Sequence, residues 1–555
     1  MRFLSKYVKL VTYFRREGGM VALAKQERVE IPPHCVKVPN GKNVYIHYTL
    51  RAYRNEKGQP TSERVSIGKF DPETGMLIPN TRYYELFQKR PPLPMPEYVR
   101  DYGVYAAFRS VAEELGLDKL LHKHFPDKAE NMLTVAQYML CEGNVMYYLA
   151  DWQEDKLSCG KEVLSSSALS RLFAGIDNKR RIAFFNDWIK KRKSQEFIAY
   201  DVTSISSYGK GLLNAEWGYN RDKEKLPQIN LGMYYGEESK LPLYYRIYPG
   251  SIPDKAHLKY MAEDTGLLAC QKVKFVMDRG FYSADNLRYL VEKNCRFIIA
   301  LPGSLKLCRD LIDKHREEIV NRSACYLGPD KPYGRAYEVN ELGFRMRVHV
   351  YYDPDKAAHD GRLLHEEIAK MENELAEMTE LPARSLHYDR YFFINRSSKD
   401  GTLSYRRNPS AIDKALSQCG FFLIAETDFR KTTAEILDIY RRRDVVEKSF
   451  DNLKNDLDMR RLYVHSDEVA EGKAFVAFLS LIIRSHMQNL LQSYMADQHF
   501  TFQKILLELD KAKLAVSADR LNGCRLLNPP TKTQKDILSA LNLPLALFSD
   551  AGLVC

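Results

Sequence analysis

The segment FIAYDVTSI at residues 197–205 opens the part of the chain that decides the fold. Two further apolar segments follow it, INLGMYYG at 229–236 and LPLYYRIYP at 241–249. KFVMDRG at 274–280 and FIIALP at 297–302 come next, each preceded by a stretch with helical patterning. Three strands followed by helix, strand, helix and strand predict a mixed α/β sheet.

An aspartate ends the apolar run of two of these strands. Asp201 follows FIAY, and Asp278 follows KFVM. A mixed sheet would bring these two strand ends to neighbouring positions, so we expect the two carboxylates to lie close together. For either residue taken alone, a turn former or a helix cap is the more common role.

A third acidic candidate lies in IYRRRDVVEKSFDNLK at 439–454. At roughly 100° per residue, a helix here would place four residues within an arc of about 60°: Tyr440, Arg443, Glu447 and Lys454. The same wheel carries a contiguous apolar stripe, which consists of Ile439, Val446, Phe450 and Leu453. We predict a helix that packs on a core and presents an acid, two cations and a phenol. An exposed face joined by salt bridges is the alternative.

These residues suit one kind of chemistry when they are taken together. Asp201, Asp278 and Glu447 would supply three carboxylates, and hard divalent cations such as magnesium prefer carboxylate oxygens. Two such ions about 3.5 to 4 Å apart can activate an attacking oxygen and stabilise a leaving one, as in phosphodiester cleavage. Arg443 and Lys454 could hold phosphates, the arginine by two-point contact and the lysine as a point charge.

The quartet Tyr440, Arg443, Glu447 and Lys454 matches the Y-x2-R-x3-E-x6-K signature of DDE-type bacterial insertion-sequence transposases of the insertion-sequence-four family. The segments DVTS from Asp201 and DRGFY from Asp278 resemble the first and second acidic motifs of that family. Two further segments are also similar to it, WGYNRD at 217–222 and YPGSIPD at 248–254. The resemblance is specific over 197–302 and 420–490 and looser over the rest of the chain.

The resemblance implies a ribonuclease-H-like core with a β-rich insertion before the glutamate helix. It also implies that Asp201, Asp278 and Glu447 bind two magnesium ions, with manganese as a substitute. Tyr440, Arg443 and Lys454 would contact the DNA backbone near the transposon end. The implied reaction frees a 3′-hydroxyl at the terminus of the element and joins it to target DNA.

Relatives that cut through a hairpin intermediate place an aromatic residue, often tryptophan, in the insertion to receive a flipped base. Trp152, Trp188 and Trp217 all lie outside the expected insertion. A tyrosine or phenylalanine there could substitute, so the hairpin route stays open.

We expect a multidomain protein with a β-rich N-terminal module and helical regions flanking the core. Residues 44–70 alternate around the turn-rich NEKGQ, which indicates a hairpin. The proline cluster at 91–96 marks a linker. A long charged helix carries apolar residues at alternating steps of 4 and 3, namely Leu364, Ile368, Met371, Leu375 and Met378. We favour packing of this apolar face on its own domain over a coiled-coil seam. The expected regions are 1–95 (N-terminal module), 96–195 (helical, DNA-binding), 196–302 (core, first part), 303–428 (insertion), 429–490 (core, second part) and 491–555 (C-terminal helices).

Three regions are candidates for DNA contact outside the quartet. The N-terminal hairpin carries Tyr45, Tyr48, Arg51, Tyr53 and Arg54, and SSSALSRLFAGI at 165–176 could be a recognition helix. Residues 179–193 form a basic cluster, in which Asp187 is the single acid. Its basic residues are Lys179, Arg180, Arg181, Lys190, Lys191, Arg192 and Lys193. Ordinary surface and core positions, or a solvated helix face, are the alternatives. Phosphate contacts would make binding strongly salt-dependent.

Composition is consistent with a large cytosolic enzyme. The chain has 555 residues and a net charge of +11, the sign expected for a protein that handles a polyanion. The longest apolar run, 475–483, stops at Arg484 and is too short to span a bilayer. Ten cysteines without a C-x-x-C pair predict reduced thiols.

We expect double-stranded DNA as the partner and a homodimer in the DNA complex, because joining two ends calls for two protomers. The expected location is the bacterial cytoplasm, on the nucleoid when DNA is bound. The competing hypotheses are a nuclease on the same core that does not join strands, and a catalytically silent DNA-binding protein. The silent protein would have lost at least one of the three carboxylates, and all three are present in the sequence.

Overall fold

The structure is a computed structural model of the chain, and its description covers these residues: 28–41, 43–55, 57–87, 96–191, 196–209, 211–220, 222–253, 256–260, 273–378, 387–396, 403–517 and 524–549. Most of the proline linker lies outside the described residues, and so does most of the stretch with helical patterning that precedes KFVMDRG, residues 253–266. The chain forms two compact units. One comprises Met1–Tyr98 and Ala515–Cys524, and the other comprises Val99–Leu514 and Arg525–Cys555.

The first unit contains a four-stranded antiparallel sheet. Its elements are β1 (Cys35–Asn40), β2 (Asn43–Arg54), β3 (Pro60–Phe70), β4 (Leu77–Pro79) and the helix α1 (Thr81–Phe87). The hairpin predicted at 44–70 is confirmed as β2 and β3. A small core of Ile46, Ile67, Leu77 and Tyr83 holds the sheet together. Tyr48 packs on Phe87, whereas the end of β2 from Leu50 to Arg54 is exposed.

Helices dominate the first hundred residues of the second unit. Strand β5 spans Pro96–Asp101, and the second unit starts inside it at Val99. The helical patterning expected up to about residue 193 is confirmed by the α-helices that follow. They are α2 (Gly103–Leu115), α3 (Leu117–His124), α4 (Ala129–Glu142), α5 (Leu149–Asp155), α6 (Ser166–Ala174) and α7 (Asn178–Lys191).

An eight-stranded mixed sheet is the centre of the second unit, as the strand pattern predicts. Its strands are β6 (Phe197–Ser206), β7 (Gln228–Gly236), β8 (Pro242–Pro249), β9 (Lys274–Met277), β10 (Arg296–Ala300), β11 (Tyr333–Glu341), β12 (Phe344–Tyr352) and β15 (Phe421–Glu426). They lie in the order β11-β12-β15-β10-β9-β6-β7-β8. Strand β9 pairs in parallel with both of its neighbours, β6 and β10, and the other described pairs of this sheet are antiparallel.

The region expected to be an insertion contributes to this sheet. Strands β11, β12 and β15 extend it beyond β10. Helix α8 (Ala284–Glu292) connects β9 to β10, and α9 (Lys306–Ile319) lies between β10 and β11. A separate core is formed by α10 (Pro354–Glu377), the hairpin of β13 (Phe392–Arg396) and β14 (Leu403–Arg407), and α11 (Pro409–Leu416). Leu364, Ile368, Met371 and Leu375 of α10 pack there on Tyr388, Tyr391 and Phe392. Packing on its own region, rather than a coiled coil, is therefore confirmed for this helix.

The remaining helices of the second unit follow the sheet in sequence. They are α12 (Thr433–Arg442), α13 (Asp444–Asp451), α14 (Asp467–Gln498), α15 (Phe502–Leu509) and α16 (Lys532–Ala540). The short strands β16 (Lys513–Ser517) and β17 (Cys524–Leu526) lie between α15 and α16 in sequence. Helix α14 is the one described helix long and apolar enough to cross a membrane, but 78% of its most apolar window is buried inside the protein. It packs against α4 and α6, as a core helix does.

Candidate active site

The sheet places Asp201 and Asp278 side by side. In the parallel pair of β6 and β9, Ala199 is opposite Val276 and Tyr200 is opposite Met277. The next residue on each strand is one of the two aspartates, and the parallel pairing ends there. The predicted neighbouring positions are confirmed, but Asp201 is not at a strand end, because β6 continues to Ser206, and only Asp278 directly follows the end of its strand.

Each aspartate is fixed by the backbone next to it. Asp278 caps a single 3-10 turn at Arg279–Phe281, and its Oδ1 accepts a hydrogen bond of 2.6 Å from the Arg279 amide. The Oδ1 atom of the buried Asp201 accepts a hydrogen bond of 2.8 Å from the Val202 amide. Asp278 therefore has the capping role common for such residues, and its carboxylate still faces the neighbouring helix.

The segment 439–454 is helical but interrupted, which differs from the single regular helix that we expect from the sequence. Helices α12 and α13 meet at Arg443, where the backbone bonds span three residues instead of four. A π-helical turn at Asn452–Asp456 follows α13. The interruptions change the angles between the four side chains of the quartet. The predicted apolar stripe is nevertheless buried, with Ile439, Val446, Phe450 and Leu453 all in the core.

Helix α12 packs on the sheet so that Tyr440 reaches Asp278. Ile436, Leu437 and Ile439 share a core cluster with Phe197, Val276 and Ile298 of the strands. The Tyr440 hydroxyl donates a hydrogen bond of 3.4 Å to Asp278 Oδ1. Burial, with a further contribution from the Asp278 charge, raises the pKa of Tyr440 to about 12. Tyr440 is therefore a hydrogen-bond donor at neutral pH.

Arg443 lies among the three candidate carboxylates. Its Nη2 atom is 2.9 Å from Glu447 Oε1, and only 11% of its side chain is exposed, against 54% for Glu447. Burial lowers the pKa of Arg443, but its interactions with Tyr440 and with the carboxylates of Asp278, Glu447 and Asp201 outweigh this effect and raise it. The guanidinium thus contacts the helix carboxylate and lies within electrostatic reach of the two strand carboxylates.

Lys454 makes an ion pair that sequence reasoning did not find. Its Nζ atom lies 2.5 Å from Asp222 Oδ2, and the lysine side chain is buried. Asp222 is the last residue of the WGYNRD segment, so this segment is tied to the end of the quartet. The sequence signal for this pair is that the WGYNRD segment and the quartet resemble motifs of the same family. The spacing of the two motifs does not predict a direct contact.

The donor set suits a hard divalent cation, because all three candidate ligands are carboxylates. In the described part of the chain, no three His, Cys, Asp or Glu side chains are close enough to share one ion. In this arrangement Arg443 pairs with Glu447 and lies within electrostatic reach of Asp201 and Asp278.

The basic cluster is not one continuous solvated face. Arg181 is buried and forms an ion pair with Glu471, and Arg180 pairs with Asp127 at 3.2 Å. Lys190 and Lys191 lie at the C-terminal end of α7, whereas Arg192 and Lys193 lie outside the described residues. The buried arginine argues against the alternative of a solvated face for the whole run, because helix periodicity turns position 181 toward Glu471 of α14.

The fold and the site define a class of α/β protein, in which a mixed sheet carries two carboxylates on adjacent strands and a covering helix adds a third. A family model described as Transposase DDE domain matches residues 192–483, more than half of the chain. The protein therefore belongs to the DDE transposase family, which confirms the resemblance at this level.

Comparisons with curated proteins and with solved structures add little to the family assignment. No curated protein matches the sequence significantly. Among solved structures, a piggyBac transposase in a synaptic complex with hairpin DNA is similar over 83% of this chain and 80% of that chain. The identity is 11% and the TM-score is 0.33, so this likeness supports no conclusion about partner or mechanism.

Proposed function

We propose that this protein binds the ends of an insertion sequence, cleaves to free a 3′-hydroxyl and joins that end to target DNA. One observation carries the proposal: Asp201 and Asp278 follow paired positions on adjacent strands, and the neighbouring helices contact this place through Tyr440, which is 3.4 Å from Asp278, and through Arg443, which is 2.9 Å from Glu447. Membership of the DDE transposase family supports the same activity.

The core of this enzyme is, in our proposal, ribonuclease-H-like. The order β8-β7-β6-β9-β10 supports this, because three antiparallel strands are followed by two parallel ones. The region 303–428 is then an insertion that extends the sheet and adds the small core under α10. The complete quartet favours the insertion-sequence-four family, and the regional boundaries given by the sequence remain part of this proposal.

Asp201, Asp278 and Glu447 would hold two magnesium ions, with manganese as a substitute. When bound, such ions activate the attacking oxygen and stabilise the leaving oxygen of a phosphodiester. Arg443 offsets part of the charge of the three carboxylates and can offer its second edge to a DNA phosphate. Tyr440 orients Asp278 through its hydroxyl. Lys454 holds the WGYNRD segment through Asp222, and a phosphate would compete for the same ammonium group.

The partner in this proposal is double-stranded DNA, at both the element ends and the target, and the DNA complex contains two copies of the chain. Lys190, Lys191, Arg192 and Lys193 are proposed to contact the DNA backbone. The N-terminal hairpin and the region 96–195 remain the candidates for reading the ends. The proposed location is the bacterial cytoplasm, on the nucleoid.

The test incubates the full-length protein with magnesium, a labelled duplex of the terminal repeat and a target plasmid. Asp201→Asn, Asp278→Asn and Glu447→Gln each keep the side-chain shape and remove a charge. We expect each to lower strand transfer by at least about 100-fold, because loss of a metal ligand exceeds the roughly 10- to 100-fold effect of groups that support one. Asp451→Asn is the matched control, because Asp451 is an exposed carboxylate on the same helix as Glu447.

The outcomes separate the competing functions. Joined products that persist in the three variants would disprove the assignment of these residues. Cleaved but unjoined DNA from the wild type would indicate a nuclease. Magnesium-independent binding without any product would indicate a silent DNA-binding protein.

A further inference from the structure

The eight-stranded sheet has two edge strands, and they differ in how well they are covered. Strand β8 is buried along almost its whole length and packs against α7 and α14. It also begins with Pro242 and ends with Pro249, and a proline cannot donate a hydrogen bond to a further strand. Strand β11 forms the other edge of the sheet, and about half of its residues are exposed.

Strand β11 presents an open backbone edge from Arg335 to Glu341. Its first residue, Tyr333, bridges to Tyr326 on the side away from β12, which closes the start of the edge. Beyond that point, no described residue outside β12 pairs with the backbone of β11. The pairing with β12 has no bulge, and β11 contains no proline or lysine. Natural edge strands usually carry such features, because an open edge joins readily to another strand.

The exposed side chains of β11 carry opposite charges towards its two ends. Arg335 has 55% of its side chain exposed and lies 3.6 Å from the half-exposed Glu318 of α9. Glu341 is exposed and forms no ion pair with a described residue. Between them, Glu338 lies 3.1 Å from Arg345 of β12, so its charge is offset within the chain. A second strand with the reverse order of charges would therefore match this edge.

A second copy of β11 has that order when it runs antiparallel to the first. In a sheet with two-fold symmetry, residues that face each other must point to the same side, so the register must be centred on one residue. A register centred on Glu338 places Arg335 of each copy opposite Glu341 of the other, and Tyr337 opposite Val339. Both are favourable cross-strand pairs. A register centred on Tyr337 would place Arg335 opposite Val339 and leave its charge unpaired across the interface.

We propose that the protein self-associates without DNA by joining the β11 strands of two copies into one continuous sheet. The two Glu338 side chains meet at the two-fold axis, where Arg345 of each copy offsets their charges. Antiparallel joining reverses the strand direction, so the two Asp278 carboxylates lie towards opposite ends of the strands. The inference goes beyond the proposed function, because it concerns the free protein and an interaction surface outside the carboxylate site.

Cysteine cross-linking of the full-length protein tests the register. Glu338→Cys places two thiols opposite each other, with Cα atoms about 4.5 to 5.5 Å apart, within the range of a disulfide. Asn340→Cys is the matched control, because the same register separates its two copies by four residues, about 14 Å along the strands. Under mild oxidation without DNA, we expect Glu338→Cys to form a disulfide-linked dimer. Asn340→Cys should form no more of it than the wild type, which has ten cysteines.

Charge reversal tests the pairing of Arg335 with Glu341. Glu341→Lys places two cations opposite each other at both ends of the interface. The dissociation constant of the dimer, measured by analytical ultracentrifugation, should therefore rise by about 10-fold. Arg335→Glu combined with Glu341→Lys makes the facing charges opposite again and should restore the dimer. Glu366→Lys reverses an exposed charge on α10 and should leave the dissociation constant unchanged.

Three results would overturn the inference. The first is a wild-type protein that remains monomeric and whose Glu338→Cys variant forms no cross-link. The second is equal disulfide formation by Glu338→Cys and Asn340→Cys, because a fixed register would then be absent. The third is a dimer that Glu341→Lys does not weaken, because its interface would lie elsewhere. None of these measurements contains DNA, so a failure of cleavage and joining, which would contradict the proposed function, is a separate result.

Discussion

At the scale of single residues, Arg443 is the side chain on which the acidic site depends. It is almost buried, and the charges around it include those of Asp201, Asp278 and Glu447. Removing one partner from a buried ionic group leaves the others uncompensated, which costs more than the contact itself contributes. The stability of this site should therefore respond to cations in solution when the arginine is absent.

Arg443→Gln should lower the melting temperature in the absence of divalent ions and increase the rise in melting temperature that magnesium produces. The reason is that magnesium binds the folded state and relieves the repulsion between carboxylates, and binding to the folded state stabilises it. Arg441→Gln, which alters an exposed arginine of α12, is the control. Equal magnesium effects in Arg443→Gln and the wild type would contradict this role. Thermal denaturation with and without magnesium measures the melting temperature of each variant and its rise when magnesium is added.

Lys473 gives a second residue-scale prediction. Burial lowers the pKa of this lysine from 10.5 to about 7. Between these values the unfolded chain binds the proton more strongly than the folded chain, so the lysine makes the free energy of unfolding rise with pH. Lys473→Met should therefore flatten the pH dependence of stability between about pH 7 and about pH 10. Denaturant titrations across that range test it, and a slope equal to that of the wild type would contradict it.

At the scale of helices, substitution of two glycines that both lie inside helices should have opposite effects on stability. A Cβ at Gly472 in α14 would lie 2.1 Å from the Phe173 carbonyl oxygen, so this glycine allows α14 and α6 to approach closely. At Gly361 in α10 the nearest atom is at 3.8 Å, an ordinary contact. The close contact between two helices should determine the effect of a substitution at Gly472, and helix propensity should determine the effect at Gly361.

Gly472→Ala should destabilise the protein by about 1 to 3 kcal/mol, the usual cost of overpacking a core. Gly361→Ala should stabilise it by about 0.5 to 1 kcal/mol, because alanine restricts the unfolded chain and favours the helix. Chemical denaturation of the two variants measures the difference directly. Two changes of the same sign would show that the α6 and α14 contact does not control stability.

Among the strands and helices around the site, some could be predicted from the sequence and some features could not. Strands β6 and β9 followed from their apolar runs, and the buried stripe of α12 and α13 followed from helical spacing. The break at Arg443 and the π-helical turn did not, because hydrogen-bond changes of this kind depend on packing against the sheet. The pair of Lys454 and Asp222 joins residues far apart in sequence, and no local pattern encodes such a contact.

At the scale of the whole molecule, the strand order explains why the sequence suggested a separate insertion. The pattern of alternating strands and helices lapses after Pro302, yet β15 returns to pair with β10, and β12 and β11 continue the sheet. Antiparallel pairing between distant segments is not visible in local periodicity. The three carboxylates and the helices that position them thus belong to one continuous sheet and its covering layer.

The net charge of +11 gives the last prediction, because each lysine that contacts a DNA phosphate releases counterions when DNA binds. Lys190→Ala should weaken DNA binding on every sequence and reduce the slope of log affinity against log salt by about 1. Lys370→Ala, which removes an exposed lysine of α10, should leave the slope unchanged. Binding titrations over a series of salt concentrations measure both slopes. If the two variants give the same slope as the wild type, the end of α7 does not contact DNA, and recognition must come from another surface of the chain.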